Sequence, residues 1–314
     1  MDRRLFLRLG LGAAAVGGVV LLRDRVLWAP PSAEFIGQVQ TTGWLTWAQP
    51  RVLAPTVAVD VGGRTVHALI DSGAQFSVID RALADQIAVR SAFDLPVMAH
   101  GVGGEGQMGR GARMDVGLGP LRIEGLRAAV LNLGPLAGPD GLNTPLILGH
   151  DMLSRLVLDL DTDRRRLSLT LPGAYAPPAG LAPVATLRRG RALVAPVTVE
   201  GHEIEAVIDT GASSLLSLKR SAAEAASLLD GRPVHEGSSL VLGGVVAARI
   251  VRTRSVVFAD QTYRGRPVSI FADAVAPGVP DALVGMAAFI GRRVAIDAGE
   301  GRMWASRPLD LTVG

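Results

Sequence analysis

The chain has 314 residues, of which 48% are hydrophobic and 19% charged, enough apolar material for two lobes. Its net charge of +3 arises within residues 1–25, where five arginines face two aspartates, so residues 26–314 balance to zero and offer no basic tract for a nucleic acid. The lack of cysteine excludes disulfides, thiolate chemistry, Cys-ligated zinc and a lipid anchor on an N-terminal Cys, while 38 Gly and 19 Pro favour a turn-rich β protein over a helical bundle.

In chain order, MDRRLFLRLGLGAAAVGGVVLLRDR comes first, with a basic start, an apolar run from Leu9 to Leu22 and charge at its end. Such a run is short for a spanning helix and suits the core of a signal peptide. The stretch RRLFLR at residues 3–8 resembles the twin-arginine export signal, with Phe6, Leu7 and Arg8 at the expected offsets and Asp2 as a departure. Residues 1–36 are therefore expected to be an export signal or an N-terminal anchor. That makes the protein periplasmic, or membrane-associated at its N-terminus if the segment is retained.

The segments TVAVDV and RTVHALI that follow alternate as strands do, and the second runs into Asp71-Ser72-Gly73. An acid at the end of an apolar run is costly unless something shares its site. DRALADQIAV predicts a short helix capped by Asp80, and RLSLTL closes the first copy as another strand. The Pro- and Gly-rich LPGAYAPPAGLAP at 171–183 reads as a linker, and then the pattern returns. EAVIDTGASSLLSL repeats HALIDSGAQFSVI, VLGGVV repeats GVGGEG, ALVGMAAF repeats LILGHDML, and RRVAIDAGEGRMWAS repeats LVLDLDTDRRRLSL. Four ordered landmarks at nearly one offset mark a duplication. A second short helix is expected in SAAEAASLLDGRP, stopped by Gly231 and Pro233. The domains are expected at 37–172 and 183–314, joined by 173–182.

Two lobes facing each other across a pseudo-twofold axis bring Asp71 and Asp209 together. Carboxylates that close cannot both ionise easily, so the pair holds one proton. The ionised member can then take a proton from water while the protonated member polarises a carbonyl oxygen. Gly73 and Gly211 allow tight turns beneath the acids, and the Ser72 and Thr210 hydroxyls are placed to bond across the seam. Gly149 and Gly285 suit a strand passing too close to each acid loop for a side chain.

DSGA at 71–74 and DTGA at 209–212, with LILG at 146–149 and ALVG at 282–285, resemble the aspartic proteases, and the retropepsin branch more closely than the pepsins. The resemblance covers nearly all of residues 37–310 and is to a bacterial, single-chain, two-lobed form. It implies an all-β fold of two similar closed-β lobes with a short helix each and the active site at their interface. It also implies endopeptidase activity on extended protein or peptide substrates, without cofactor, metal or nucleic acid, in a monomer with internal pseudo-twofold symmetry. The family's flap is expected at Gly101, Val102, Gly103 and Gly104, with VLGGVV as its counterpart.

Residues 101–106 also satisfy G-x-G-x-x-G, but the sequence that follows is strand-like, which argues against a dinucleotide site. The five histidines are scattered without metal-ligand spacing and read as surface or locally bonded residues. Asp151 and Asp161 read as turn supports. A catalytically silent interaction module at the membrane is the alternative function, and a broken Asp pair would be its mark; here both acids and both glycines are present.

Overall fold

The computed structural model describes residues 19–20, 30–50, 52–100, 106–241, 244–273 and 280–307. Their strands gather into three sheets: nine strands in the first lobe, ten in the second, and six shared between the two. The expected all-β architecture of two similar lobes is what the chain forms.

Each lobe is organised by one short, wholly buried strand. In the first lobe, Leu146–Leu148 lies parallel to Arg64–Ile70 on one side and antiparallel to Ser77–Asp80 on the other. In the second, Ala282–Val284 lies in the same way between His202–Ile208 and Leu216–Lys219. These strands read as unbroken apolar runs because both faces are covered. Leu146 and Leu148 face the main core, which extends through both lobes, while Ile147 faces a satellite cluster with Phe76, Leu133 and Leu142. Half-buried strands alternate instead. Val57, Val59 and Val61 point inward from Thr56–Val61, and Ala58 and Asp60 outward.

The lobes are joined by pairing Val157–Asp161 antiparallel to Arg293–Asp297, each the first strand of a hairpin. Asp161 and Asp297 are equivalent and 136 positions apart. The register sets Asp159 opposite Ala295, which are themselves equivalent, so the pseudo-twofold axis passes between these two residues. One face of this sheet, with Leu158, Leu160, Val294 and Ile296, adds to the core. On the other, Asp159 accepts from Arg293 Nε and Nη2 (2.9 and 2.6 Å) and from the Tyr175 hydroxyl (3.2 Å), which ties the connecting segment to the axis.

Several boundaries differ from the sequence reading. Ser32–Phe35, expected within the export segment, pairs with Leu121–Leu131 in the first lobe's sheet. Leu181–Val184, at the end of the expected linker, pairs with Arg302–Ser306 in the shared sheet. Of the apolar N-terminal run, Val19–Val20 pairs with Ala99 and His100; the rest lies outside the described residues.

The first expected helix forms as Arg81–Gln86, with Asp80 Oδ1 accepting from Ala82 N at its start. The second, Arg220–Ala225, stops well before Gly231. The chain turns through Ser227 at φ 55°, and Leu228, fully buried, is drawn into the core; its burial outweighs the remaining helical pattern.

Candidate active site

Each parallel strand pair ends at an acid loop. Asp71 N donates to Leu148 O (3.0 Å) and Asp209 N to Val284 O (2.9 Å), so the central strand fixes where each loop begins. Both aspartates are 0% exposed. Asp71 Oδ1 accepts from Gly73 N and Ala74 N (2.9 and 3.0 Å), and Asp209 Oδ1 from Gly211 N and Ala212 N (2.8 and 3.1 Å). The outer oxygens, Asp71 Oδ2 and Asp209 Oδ2, are buried with no hydrogen-bond donor among the described residues.

The two loops interlock through their hydroxyl side chains. Thr210 Oγ1 donates to Ile70 O (2.7 Å) and accepts from Ser72 N (3.0 Å); Ser72 Oγ donates to Ile208 O (2.7 Å) and accepts from Thr210 N (3.1 Å). This reciprocal clasp sets each acid above the other lobe's glycine. A Cβ on Gly73 would lie 2.5 Å from Asp209 Cγ, and one on Gly211 2.6 Å from Asp71 Cγ. The two carboxyl groups therefore share one enclosed site.

Burial, then the charge of Asp209, hold the Asp71 carboxyl well above the ordinary carboxylate range. Burial pushes Asp209 up to about 6, opposed by a hydrogen bond from Asp71 and by the amides of Gly211 and Ala212. With no other donor for either outer oxygen among the described residues, the two carboxyls answer chiefly to each other, and the pair titrates as a unit.

Gly149 and Gly285 lie where a side chain does not fit. Their φ values, −99° and −105°, suit any residue, so the constraint is contact alone. A Cβ on Gly285 would lie 2.4 Å from Ser214 O and 2.5 Å from Ala212 O; one on Gly149 would lie 2.7–2.8 Å from the backbone of Ala74 and Phe76. Gly285→Ala is therefore expected to cost about 1–3 kcal/mol by overpacking. Urea unfolding measures that loss, and an unchanged midpoint would show that the loop yields freely.

The expected flap residues Gly101, Val102, Gly103 and Gly104, and Gly243 in the counterpart, lie outside the described residues. What is described are the strands leading to them: Arg90–His100 pairs with Gly106–Leu118, and Val234–Val241 with Gly244–Arg252. A strand, not a helix, thus follows the glycine-rich stretch at 101–106.

Asp161 supports its turn as expected, accepting from Arg164 N (3.1 Å). His150 and Asp151 differ from the surface reading given to most histidines and from a simple turn. Both are buried just beyond Gly149. Burial, with Arg191 and Arg188 nearby, lowers His150 to about 4, and burial raises Asp151 to about 6 against hydrogen bonds from Ser77 and Met152. The Arg191 guanidinium lies 4.3 Å from the centre of the Phe76 ring, a contact between lobes that the sequence did not signal. The one visible hint of this cluster was HDML standing where the second copy has MAAF.

Two duplicated β lobes, each giving one carboxylate to a shared buried site, define the aspartic peptidase class of architecture. A family model described as aspartyl protease matches residues 57–152 and 195–288, and the chain belongs to that family. The chain is 32% identical over 123 residues to DNA damage-inducible protein 1 of Cryptococcus neoformans var. neoformans serotype D (strain JEC21 / ATCC MYA-565), covering 36% of this chain and 25% of that protein. The protein of that name from strain B-3501A matches with the same figures. The matched segment thus spans only a quarter of these relatives. Among solved structures, soybean Basic 7S globulin aligns with a TM-score of 0.44 at 10% identity, over 85% of this chain and 95% of that one, a likeness too distant to bear on the site.

Proposed function

We propose that this chain is an aspartic endopeptidase that hydrolyses peptide bonds of extended polypeptides with a water activated by Asp71 and Asp209. The observation that carries the reading is the pair of buried outer oxygens, donor-free among the described residues, facing one site across the lobe seam. In the singly protonated pair, the ionised carboxylate takes a proton from water as the oxygen attacks the peptide carbonyl carbon. The protonated carboxyl gives its proton to the carbonyl oxygen. Collapse of the tetrahedral diol breaks the C–N bond: one carboxyl of the pair gives its proton to the departing nitrogen while a diol hydroxyl returns its proton to the other carboxylate, which restores the singly protonated pair. Amide bonds to Asp71 Oδ1 and Asp209 Oδ1 hold both acids in place throughout. The silent-module alternative lacks support because neither acid nor either glycine is lost.

A peptide library incubated with the chain tests this directly, and an uncut library overturns it. The pH dependence is a sharper check. Cleavage efficiency is expected to rise with pH through about 6, as the pair gives up its first proton, and to fall at higher pH as it loses its second. A rate independent of pH between 4 and 8, spanning roughly the range set by these shifts, would count against the pair as the acid and base.

We place the protein outside the cytoplasm on the strength of RRLFLR and the apolar run behind it, either periplasmic or anchored facing the periplasm. Among the described residues no helix is long and apolar enough to cross a membrane. Replacing Arg3 and Arg4 by Lys is expected to leave the chain in the cytoplasmic fraction of the producing cells. Unaltered export would remove the twin-arginine reading.

A further inference from the structure

The two lobes close the same junction by different means. In both, the residue after the critical glycine bonds back to the acid loop: His150 N to Ala74 O (2.8 Å) and Met286 N to Ala212 O (2.7 Å). The glycine amide itself is where they part. Gly285 N donates to the backbone carbonyl of Leu215 (3.2 Å), whereas Gly149 N donates to a side chain, Ser77 Oγ (3.1 Å).

Loop length explains the difference. The strand after Asp209 begins at Leu216, and the strand after Asp71 begins at Ser77, one position sooner relative to its acid. The longer loop presents a carbonyl to the glycine; the shorter one does not, and a buried N–H left without an acceptor is costly. Ser77, fully buried, supplies that acceptor. Its hydroxyl proton goes to Asp151 Oδ1 (2.8 Å), which also takes the Met152 amide (3.0 Å). At the corresponding places the second lobe has Leu216 and Ala287, both apolar, so those positions cannot form such a relay.

We propose that Asp151 is a positioning residue, which acts through Ser77 to fix the loop that carries Asp71. The proposal rests on the peptidase reading and deepens it. Asp151 aligns the Ser77 hydroxyl, the hydroxyl holds the Gly149 turn, and that turn holds Ala74, whose amide bonds Asp71 Oδ1 (3.0 Å). The path touches the acid and not the substrate, so its loss acts on turnover more than on binding. The charged groups around Asp151 are Arg191, with His150 next to it in the chain and Arg188 beside His150.

The test compares Asp151→Ala, Ser77→Ala, their double mutant and Asp151→Asn on a cleaved peptide. Each Ala variant is expected to lower kcat about 10–100-fold with KM little changed, since a small displacement of a catalytic group has effects of that order. The double variant is expected to be no worse than either single one, and the acid limb of the pH profile to move in all three. Asp151→Asn keeps an oxygen that accepts from Ser77 and is expected to restore most of the turnover. The proposal is overturned if the Ala variants lose thermal stability but keep wild-type kcat and pH profile, or if Asp151→Asn is as damaged as Asp151→Ala. Should Asp151→Ala not fold, Ser77→Ala, which removes one oxygen, decides by the same readouts. Wild type and Asp209→Asn run alongside. An inactive wild type or an active Asp209→Asn overturns the peptidase reading and this proposal together, whereas normal Ala variants in an active wild type overturn this proposal alone.

Discussion

Substituting Asn for Asp209, or for Asp71, is expected to lower peptide cleavage by about 10³-fold or more while leaving the chain folded. Asn neither ionises nor shares a proton, so the pair loses its acid–base cycle, yet its side chain fills nearly the same space. The stability effect has a definite sign. Burial raises Asp209 from its ordinary 3.8 to about 6. The stability linked to its protonated form is full below 3.8 and is lost as pH rises through 6, so at pH 7.5, to take a value about 1.5 units higher, the native state bears the cost of a charged buried pair. Asn removes that cost. The variant is therefore expected to melt at or above the wild-type temperature at that pH, with the advantage fading at acid pH. Calorimetry beside the peptide assay checks both, and a lower melting temperature with lost activity would point to unfolding instead.

Arg293→Met is expected to be the most destabilising single change away from the acids, at about 3–5 kcal/mol. It strips Asp159, 1% exposed, of two hydrogen bonds and leaves a buried carboxylate with Tyr175 as its remaining side-chain partner among the described residues. Arg293 also lies 5.0 Å from the centre of the Trp44 ring, so some packing goes with the charge. Because Asp159 stands at the pseudo-twofold axis, the damage falls where the lobes meet. Urea unfolding is expected to show the loss in the midpoint, and adding Asp159→Leu to recover part of it. A loss below about 1 kcal/mol would mean that the pair behaves like a solvated surface ion pair.

The acids were legible because each breaks an apolar run and because the break occurs twice. A carboxylate at the end of HALI or EAVI has no local reason to be there, and duplication supplied the partner. The Ser72–Thr210 clasp was expected from the same symmetry. Gly73 and Gly211 were expected as formers of tight turns, whereas neither stands at positive φ and each is required by contact with the opposite acid. The second helix was over-extended because SAAEAASLLDG is periodic throughout, and periodicity alone does not reveal that Leu228 packs into the core. The Ser77–Asp151 relay was hidden for a different reason. It depends on one loop being a single residue shorter than its counterpart, and on where a carbonyl then fails to reach. Such a difference is visible in an alignment of the two copies, but its meaning is not until both loops are folded. Contacts between lobes, such as Arg191 on Phe76, join positions far apart in sequence and unrelated by the repeat.

The strand pairing about Asp159 and Ala295 is made within one polypeptide, which changes the arithmetic of assembly. A site built from two separate chains disappears on dilution, because its halves must first find each other. Here the halves are tethered, and meeting is a unimolecular event at a fixed effective concentration. The share of molecules with both acids in place is thus set by folding and stays the same however scarce the protein becomes.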